Sequence, residues 1–188
     1  METAYPIARL VLLGLFVMMT ASCNSATDTP AANATDAGVD NSAIVALHGG
    51  STLIAERGTV GREIVDWLAS SAPQGRFELG GRQFDGRSAE PTIEAQARLT
   101  RLIQMLKSDS DVHILLVGHS DRSADAAADQ ALSEARARAV RRILEASGIF
   151  STRIKVEGRG GTQPIADDRT PAGRAQNQRV SLELTRHR

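Results

Sequence analysis

The chain has 188 residues, with 22 basic and 22 acidic side chains for a formal net charge of zero, aromatics at 3% and one cysteine. Balanced charge and scarce aromatic rings argue against a nucleic-acid module, which needs a basic footprint and stacking platforms. One cysteine leaves no internal disulfide, and the length suits one domain of ordinary size once terminal signals are set aside.

The first elements in chain order are processing signals. Arg9 supplies a thin positive region, partly offset by Glu2, and Leu10 to Met19 (LVLLGLFVMM) is a short apolar run leading through Ala21 and Ser22 to Cys23. A run this short suits a signal peptide over residues 1–22, whereas a spanning helix needs roughly 20 apolar residues. The stretch Met19-Thr20-Ala21-Ser22-Cys23 resembles a bacterial lipobox, departing from the usual pattern at Thr20, where leucine is favoured. The resemblance implies lipidation of Cys23, and a lone thiol in an oxidising compartment would otherwise be a liability. Three acyl chains, at about 0.8 kcal/mol per buried methylene, anchor a protein far more firmly than one. By the sorting rule of such lipoproteins, Asn24 after the cysteine implies outer-membrane lipid as the partner of the acylated end. The rest of residues 23–42 is rich in Ala, Asp, Thr and Asn without a hydrophobic period, and reads as a flexible tether with a span of about 20–25 Å.

Residues 43–75 read as a small N-terminal extension. Ile44 to Leu47 and Thr52 to Ile54 have strand character around a turn at Gly49-Gly50, and Val60 to Leu68 has apolar residues at helical spacing. Trp67, the only tryptophan, lies on that stripe as a packing anchor. The segment is far too short for a transmembrane β-barrel, which needs at least about eight strands.

The main domain is expected over residues 76–188. Phe77, Leu79 and Phe84 mark a first strand, broken at Gly80-Gly81. Pro91 suits the first turn of a helix, continued by Ile93, Ala97, Leu99, Ile103 and Leu106 to Lys107. Val112 to Val117 is a continuous apolar run, the pattern of a central strand covered on both faces. A second helix carries Leu132, Ala135, Ala139, Val140, Ile143 and Leu144 at spacings of three and four, and Gly148-Ile149 reads as its C-terminal cap. Ile154 to Val156 and Val180 to Leu184 are the remaining strands. Strands alternating with helices imply an α+β fold, a mixed α/β sandwich with helices packed on a mixed four-stranded sheet.

Gly118-His119-Ser120-Asp121 lies where the central strand ends, the end at which open sheets bind ligands. Arg136 sits in the early part of the second helix, which runs back from that end. Each has a bland alternative, Asp121 as a turn residue and Arg136 as a solvated helix face. The ordered set GHSD, LSEARA (Leu132 to Ala137), G-R-G-x-x-x-P (Gly158 to Pro164) and NQRV (Asn177 to Val180) resembles the OmpA-like C-terminal domain, which includes the peptidoglycan-associated lipoproteins. The resemblance spans roughly Phe77 to Leu184 and implies a βαβαββ order. It also implies peptidoglycan as the partner, with Asp121 and Arg136 holding the diaminopimelate of the stem peptide. A carboxylate for the ligand's ammonium and a guanidinium fork for its carboxylate together read that zwitterion. Lysine-type peptidoglycan lacks the second carboxylate.

The same resemblance adds Ser120, Asp129, Leu132, Asp85 and Arg179 to the candidate site. Ser120 replaces the commoner threonine. Asp129 stands where the family has asparagine, and would either reinforce ammonium binding or repel the carboxylate. Gln178 replaces the first arginine of NRRV while Arg179 remains, and Asp85 matches the acidic start of the loop bordering the site. Ala124 and Ala128 replace a glycine and often an aromatic residue.

Catalysis has little support. His119, Ser120 and Asp121 are triad residue types, but neighbours on an extended segment point to opposite sides. The histidines show no metal-ligand spacing, the Gly158–Gly161 loop lacks a phosphate-binding pattern, and no cofactor is implied. The alternative function is an envelope-complex subunit that binds a periplasmic protein through this domain or through the 43–75 extension.

Overall fold

The computed structural model describes residues 43–47 and 50–186. The expected signal peptide, Cys23 with its tether, His48, Gly49 and the final two residues lie outside the described residues.

The described residues open with a hairpin of β1 (Ile44–Ala46) and β2 (Thr52–Ile54), in which Ile44 lies opposite Ile54. Helix α1 (Val60–Ala69) starts at Thr59, whose hydroxyl accepts the backbone N–H of Arg62. Such a cap satisfies one of the donors that every helix start leaves open. The buried face of α1 is Ile64, Val65, Trp67 and Leu68. Trp67 meets the Phe77 ring edge-on, at 6.2 Å between centroids. Arg186 stacks over the Trp67 ring, with its guanidinium carbon 4.3 Å from the ring centre. Its N–H groups also donate to the carbonyls of Trp67, Leu68, Ser70 and Ala72. A cation thus closes the negative end of α1, and the last strand is fastened to the extension.

Strand β3 (Gln74–Glu78) opens the main sheet two residues before the expected boundary at Arg76. Helix α2 (Ile93–Lys107) follows, then β4 (Val112–Gly118), α3 (Ala126–Ala146), β5 (Ile154–Gly158), a short α4 (Pro171–Asn177) and β6 (Val180–Arg186). The sheet order is β3-β6-β4-β5, with β4 and β5 parallel and β6 antiparallel to both its neighbours. Helix α3 is the crossover that parallel neighbours require. Phe77, Leu182, Leu116 and Val156 form one cross-strand row on the helix side of this sheet, and the alternate row of Arg76, Glu183, Leu115 and Lys155 is on the other side. The α+β class and the mixed four-stranded sheet are those expected from the sequence.

Three local expectations change. Pro91 precedes α2 rather than entering it, because Thr92 is the N-cap and Pro91 bridges back to Phe84. The first strand stops at Glu78, so Phe84 belongs to the loop beyond it. Central strand β4 is covered fully on only one side, since His113 and Leu115 are half-buried. The cap of α3 is as expected: Gly148 has φ +93°, and its N–H and that of Ile149 bond to the carbonyls of Glu145 and Leu144. Glycine adopts that backbone without the penalty a Cβ would bring.

Candidate functional site

The site is assembled where β4 ends. Gly118 is the last residue of that strand, and a Cβ there would overlap the Ser133 carbonyl of α3. Strand and helix therefore touch backbone to backbone, which delivers the first half of α3 to the strand end. The face that α3 buries there is polar: Asp129, Ser133 and Arg136 come before Ala137, Val140 and Leu144. Leu132 and Ala135, expected on the apolar stripe, are only half-buried. Ser133 earns its burial through hydrogen bonds, donating to the Gln130 carbonyl and accepting the Gly160 N–H at 2.9 Å.

Arg136 has no solvent exposure. Its Nε donates to the Ser88 carbonyl at 3.0 Å, Nη1 to the His119 carbonyl at 3.1 Å and Nη2 to the Gly86 carbonyl at 2.7 Å. The guanidinium carbon lies 4.8 Å from the Phe84 ring centre, a favourable cation–π distance. Burial lowers its pKa to about 10, with Asp121 and Asp129 opposing the shift and Arg87 adding to it. The group stays cationic at neutral pH, and its charge is coupled to Asp121.

Asp121 is half-buried. One of its oxygens accepts the Gln178 Nε2 donor at 2.9 Å. Asp129 is buried under the mouth, accepting the Ser123 N–H at 2.7 Å, the Ser123 hydroxyl at 2.8 Å and Arg87 at 3.1 Å. Burial alone would raise its pKa, but the Ser123 and Arg87 donors outweigh this and hold it below the ordinary value. Its position in the first turn of α3 favours the negative charge as well. Ser120 is buried between the Gly160 carbonyl, which takes its N–H, and the Asp129 carbonyl, which takes its hydroxyl.

The remaining candidates lie further out. Asp85 is exposed and pairs with Arg82 at 2.8 Å. Arg179 is buried but turned to Glu78 at 2.8 Å. It lies on the opposite sheet side from its neighbour Val180, which pairs with Gly118 in the row that meets α3. His119 shares that side, its Nε2 3.1 Å from the Ser181 hydroxyl. Asn177, the first residue of NQRV, binds the Ile165 and Ala166 N–H groups and the Ala166 carbonyl, and so shapes the loop before α4. Beside Gln178, a cleft of about 180 Å³ is lined by Phe84, Gly86, Pro171 and Ala175, with Arg82 and Arg174 at its edges.

Gln178, Arg87, Ser123 and Phe84 contact the candidate residues Asp121, Asp129 and Arg136, although none was itself among the candidates from sequence. Gln178 had a signal, its departure from arginine beside the strand. The carbonyls of Gly86 and Ser88 had none, because a backbone acceptor has no residue type. Among the described residues no three His, Cys, Asp or Glu groups lie together as a metal site, and no helix is long and apolar enough to cross a membrane.

The sequence profile of the OmpA family matches residues 83–178, just over half of the chain. The chain is 34% identical over 89 residues to the outer-membrane lipoprotein YfiB of Pseudomonas aeruginosa, covering 47% of this chain and 53% of that protein. It spans at most about half of the length of the curated relatives it matches, 53% of YfiB among them. Two solved structures share the fold. The peptidoglycan-associated lipoprotein of Burkholderia pseudomallei is 29% identical with TM-score 0.51, over 64% of this chain and 92% of its own. The cell wall anchor of the T6SS from Pseudomonas aeruginosa is 28% identical with TM-score 0.53, over 70% of this chain and all of its own. A matching profile over the segment that carries the strand-end site makes this chain a member of the OmpA family.

Proposed function

We propose that this chain is a non-catalytic, lipid-anchored protein of the outer membrane whose periplasmic domain binds peptidoglycan through the diaminopimelate of the stem peptide. The observation that carries the reading is the placement at one strand end of a half-buried carboxylate, Asp121, and a buried guanidinium, Arg136, whose pKa the charge of Asp121 raises. The names of the relatives support the class of partner, a cell wall for one and peptidoglycan for another. The likeness to an outer-membrane lipoprotein supports the anchor at Cys23.

In this mechanism Gln178 holds one oxygen of Asp121 and leaves the other for the ligand's ammonium. Nη1 and Nη2 of Arg136 each donate once to a carbonyl, and each has a second N–H for the ligand's carboxylate. Because Arg136 is sealed beneath Gly86 and Ser88, the carboxylate reaches it only when that turn moves aside. A second reading follows from the same burial: Arg136 orders the two loops through three carbonyls, and Asp121 alone meets the ligand.

Binding of diaminopimelate-type and lysine-type stem peptides to the wild type, Asp121→Ala and Arg136→Ala separates these cases. Loss of one charge-assisted contact, about 1.5–3 kcal/mol, corresponds to roughly 10–100-fold in affinity. The zwitterion mechanism expects the wild type to prefer the diaminopimelate form and Arg136→Ala to lose that preference. Equal losses toward both peptides favour the ordering role, and full binding by Asp121→Ala overturns the site. Retention of the chain in the membrane fraction of bacteria that express it, lost in Cys23→Ser, tests the anchor.

A further inference from the structure

A groove of about 620 Å³ lies between the extension and α2, and Asp121 is not among the residues that line it. Ile64 of α1, Leu99, Leu102 and Met105 of α2, Phe84 and Val140 form an apolar floor. All six are buried below 5% exposure, so the groove reaches the core of the domain. Its rim is different. Arg98 and Arg101 line it from α2, and Arg98 gives one N–H to the Arg82 carbonyl at 2.8 Å. Neither arginine has a carboxylate partner among the described residues, and Arg101 is exposed. Glu56 is the one acidic residue lining the groove, and it forms no ion pair with either arginine.

We infer that this groove is a binding site for a long-chain fatty acid. Pockets of roughly 300–1,000 Å³ with an apolar lining and a few placed polar groups are the usual form of small-molecule sites. The aliphatic floor and the flexible Met105 suit an alkyl chain, which adapts to an irregular surface. The two guanidinium groups at the rim match a carboxylate in charge and in planar geometry. An extended peptide is the rival occupant, since among the described residues β2 pairs with β1 alone. Strand β2 has three residues, so the ladder it offers is too short to hold a peptide by backbone bonds alone.

The test uses the full chain carrying Cys23→Ser, so that no acyl chain of its own competes, titrated with fluorescent dansyl-undecanoate and then with palmitate. One saturable site from which palmitate displaces the probe is expected. Gly61→Leu projects a side chain into the groove from α1, where a Cβ already sits 3.4 Å from the Met105 methyl, and abolishes uptake. Replacing both rim arginines by glutamine leaves the core intact, weakens palmitate by at least about tenfold and leaves hexadecanol unaffected. Absence of saturable binding, equal uptake by Gly61→Leu, or indifference of palmitate to the arginine replacements overturns the inference. A dimer that seals the groove without uptake, or a peptide that binds where palmitate does not, overturns it as well.

Discussion

His119 has the largest resolved electrostatic displacement among the histidines, and it sets a pH limit on the domain. Burial first, and then the cations of Arg179, Arg76 and Arg159, lower its pKa from 6.5 to about 3, with Glu157 opposing. The unfolded chain takes up this proton near pH 6.5, and the folded chain only near 3. The stabilising contribution is therefore complete above pH 6.5 and declines as the pH falls from there toward 3. Lowering the pH from about 7.5 to about 5 is expected to cost about 1–2 kcal/mol, read from urea midpoints, since one unit of differential titration is worth about 1.4 kcal/mol. His119→Gln should flatten that dependence, and an equal slope in the variant would remove His119 as its source. Asp129 does not contribute in this window, because its pKa lies below 3.8 in the folded chain. At this scale the sequence exposes residue types but not partners. Motif order singles out Asp121 and Arg136, and the fold brings both to the end of β4. The choice of Asp129 between a ligand's ammonium and its carboxylate was not legible, and the fold shows its oxygens already taken by Ser123 and Arg87.

Helix α3 shows which elements are legible and which are not. Its cap at Gly148, its apolar second half and the strands on either side of it follow from periodicity and turn chemistry. Its first half does not, because the buried positions Asp129, Ser133 and Arg136 are polar and a hydrophobic period passes over them. The same holds for α4, whose seven residues bury only Gly173 and Asn177 and leave no apolar stripe to read. What replaces burial of apolar surface here is close approach, Gly118 against the backbone of Ser133. Gly118→Ala must push β4 and α3 apart or shift the helix. It is expected to destabilise the domain by about 1–3 kcal/mol, the usual cost of forcing a methyl group into a packed interior. It should also weaken stem-peptide binding at temperatures where the variant is folded, because Asp121 extends from the strand and Arg136 from the helix. Urea unfolding and peptide titration of the same sample check both effects, and a variant of wild-type stability would show that the two backbones have slack.

At the scale of the whole molecule, the 43–75 segment is less an appendage than its weak sequence signal suggests. Leu53, Ile64, Val65, Trp67 and Leu68 share one core cluster with Phe77, Leu99, Leu102 and Met105. The carbonyls at the end of α1 are held by Arg186 at the far end of the chain. The described residues of the extension and of the main domain belong to one compact unit, and β3 runs across the expected boundary at Arg76. These ties lead to a single cooperative transition, and the chain carries its own probe for it. Trp67 is the only tryptophan, so its fluorescence reports the extension, while far-UV circular dichroism reports all the helices and strands. Coincident midpoints for the two signals are expected, as two-state unfolding requires. Leu68→Ala, at a position 5% exposed, should then lower both midpoints together by an amount equivalent to about 2–5 kcal/mol. An earlier fluorescence transition, with the dichroism curve of Leu68→Ala unmoved, would mean that the extension unfolds by itself. In that case the family domain would stand without it. Coincidence instead makes the extension part of the body that positions Asp121 and Arg136, so that strain applied at the N-terminal side of α1 reaches the strand-end site through a continuous core.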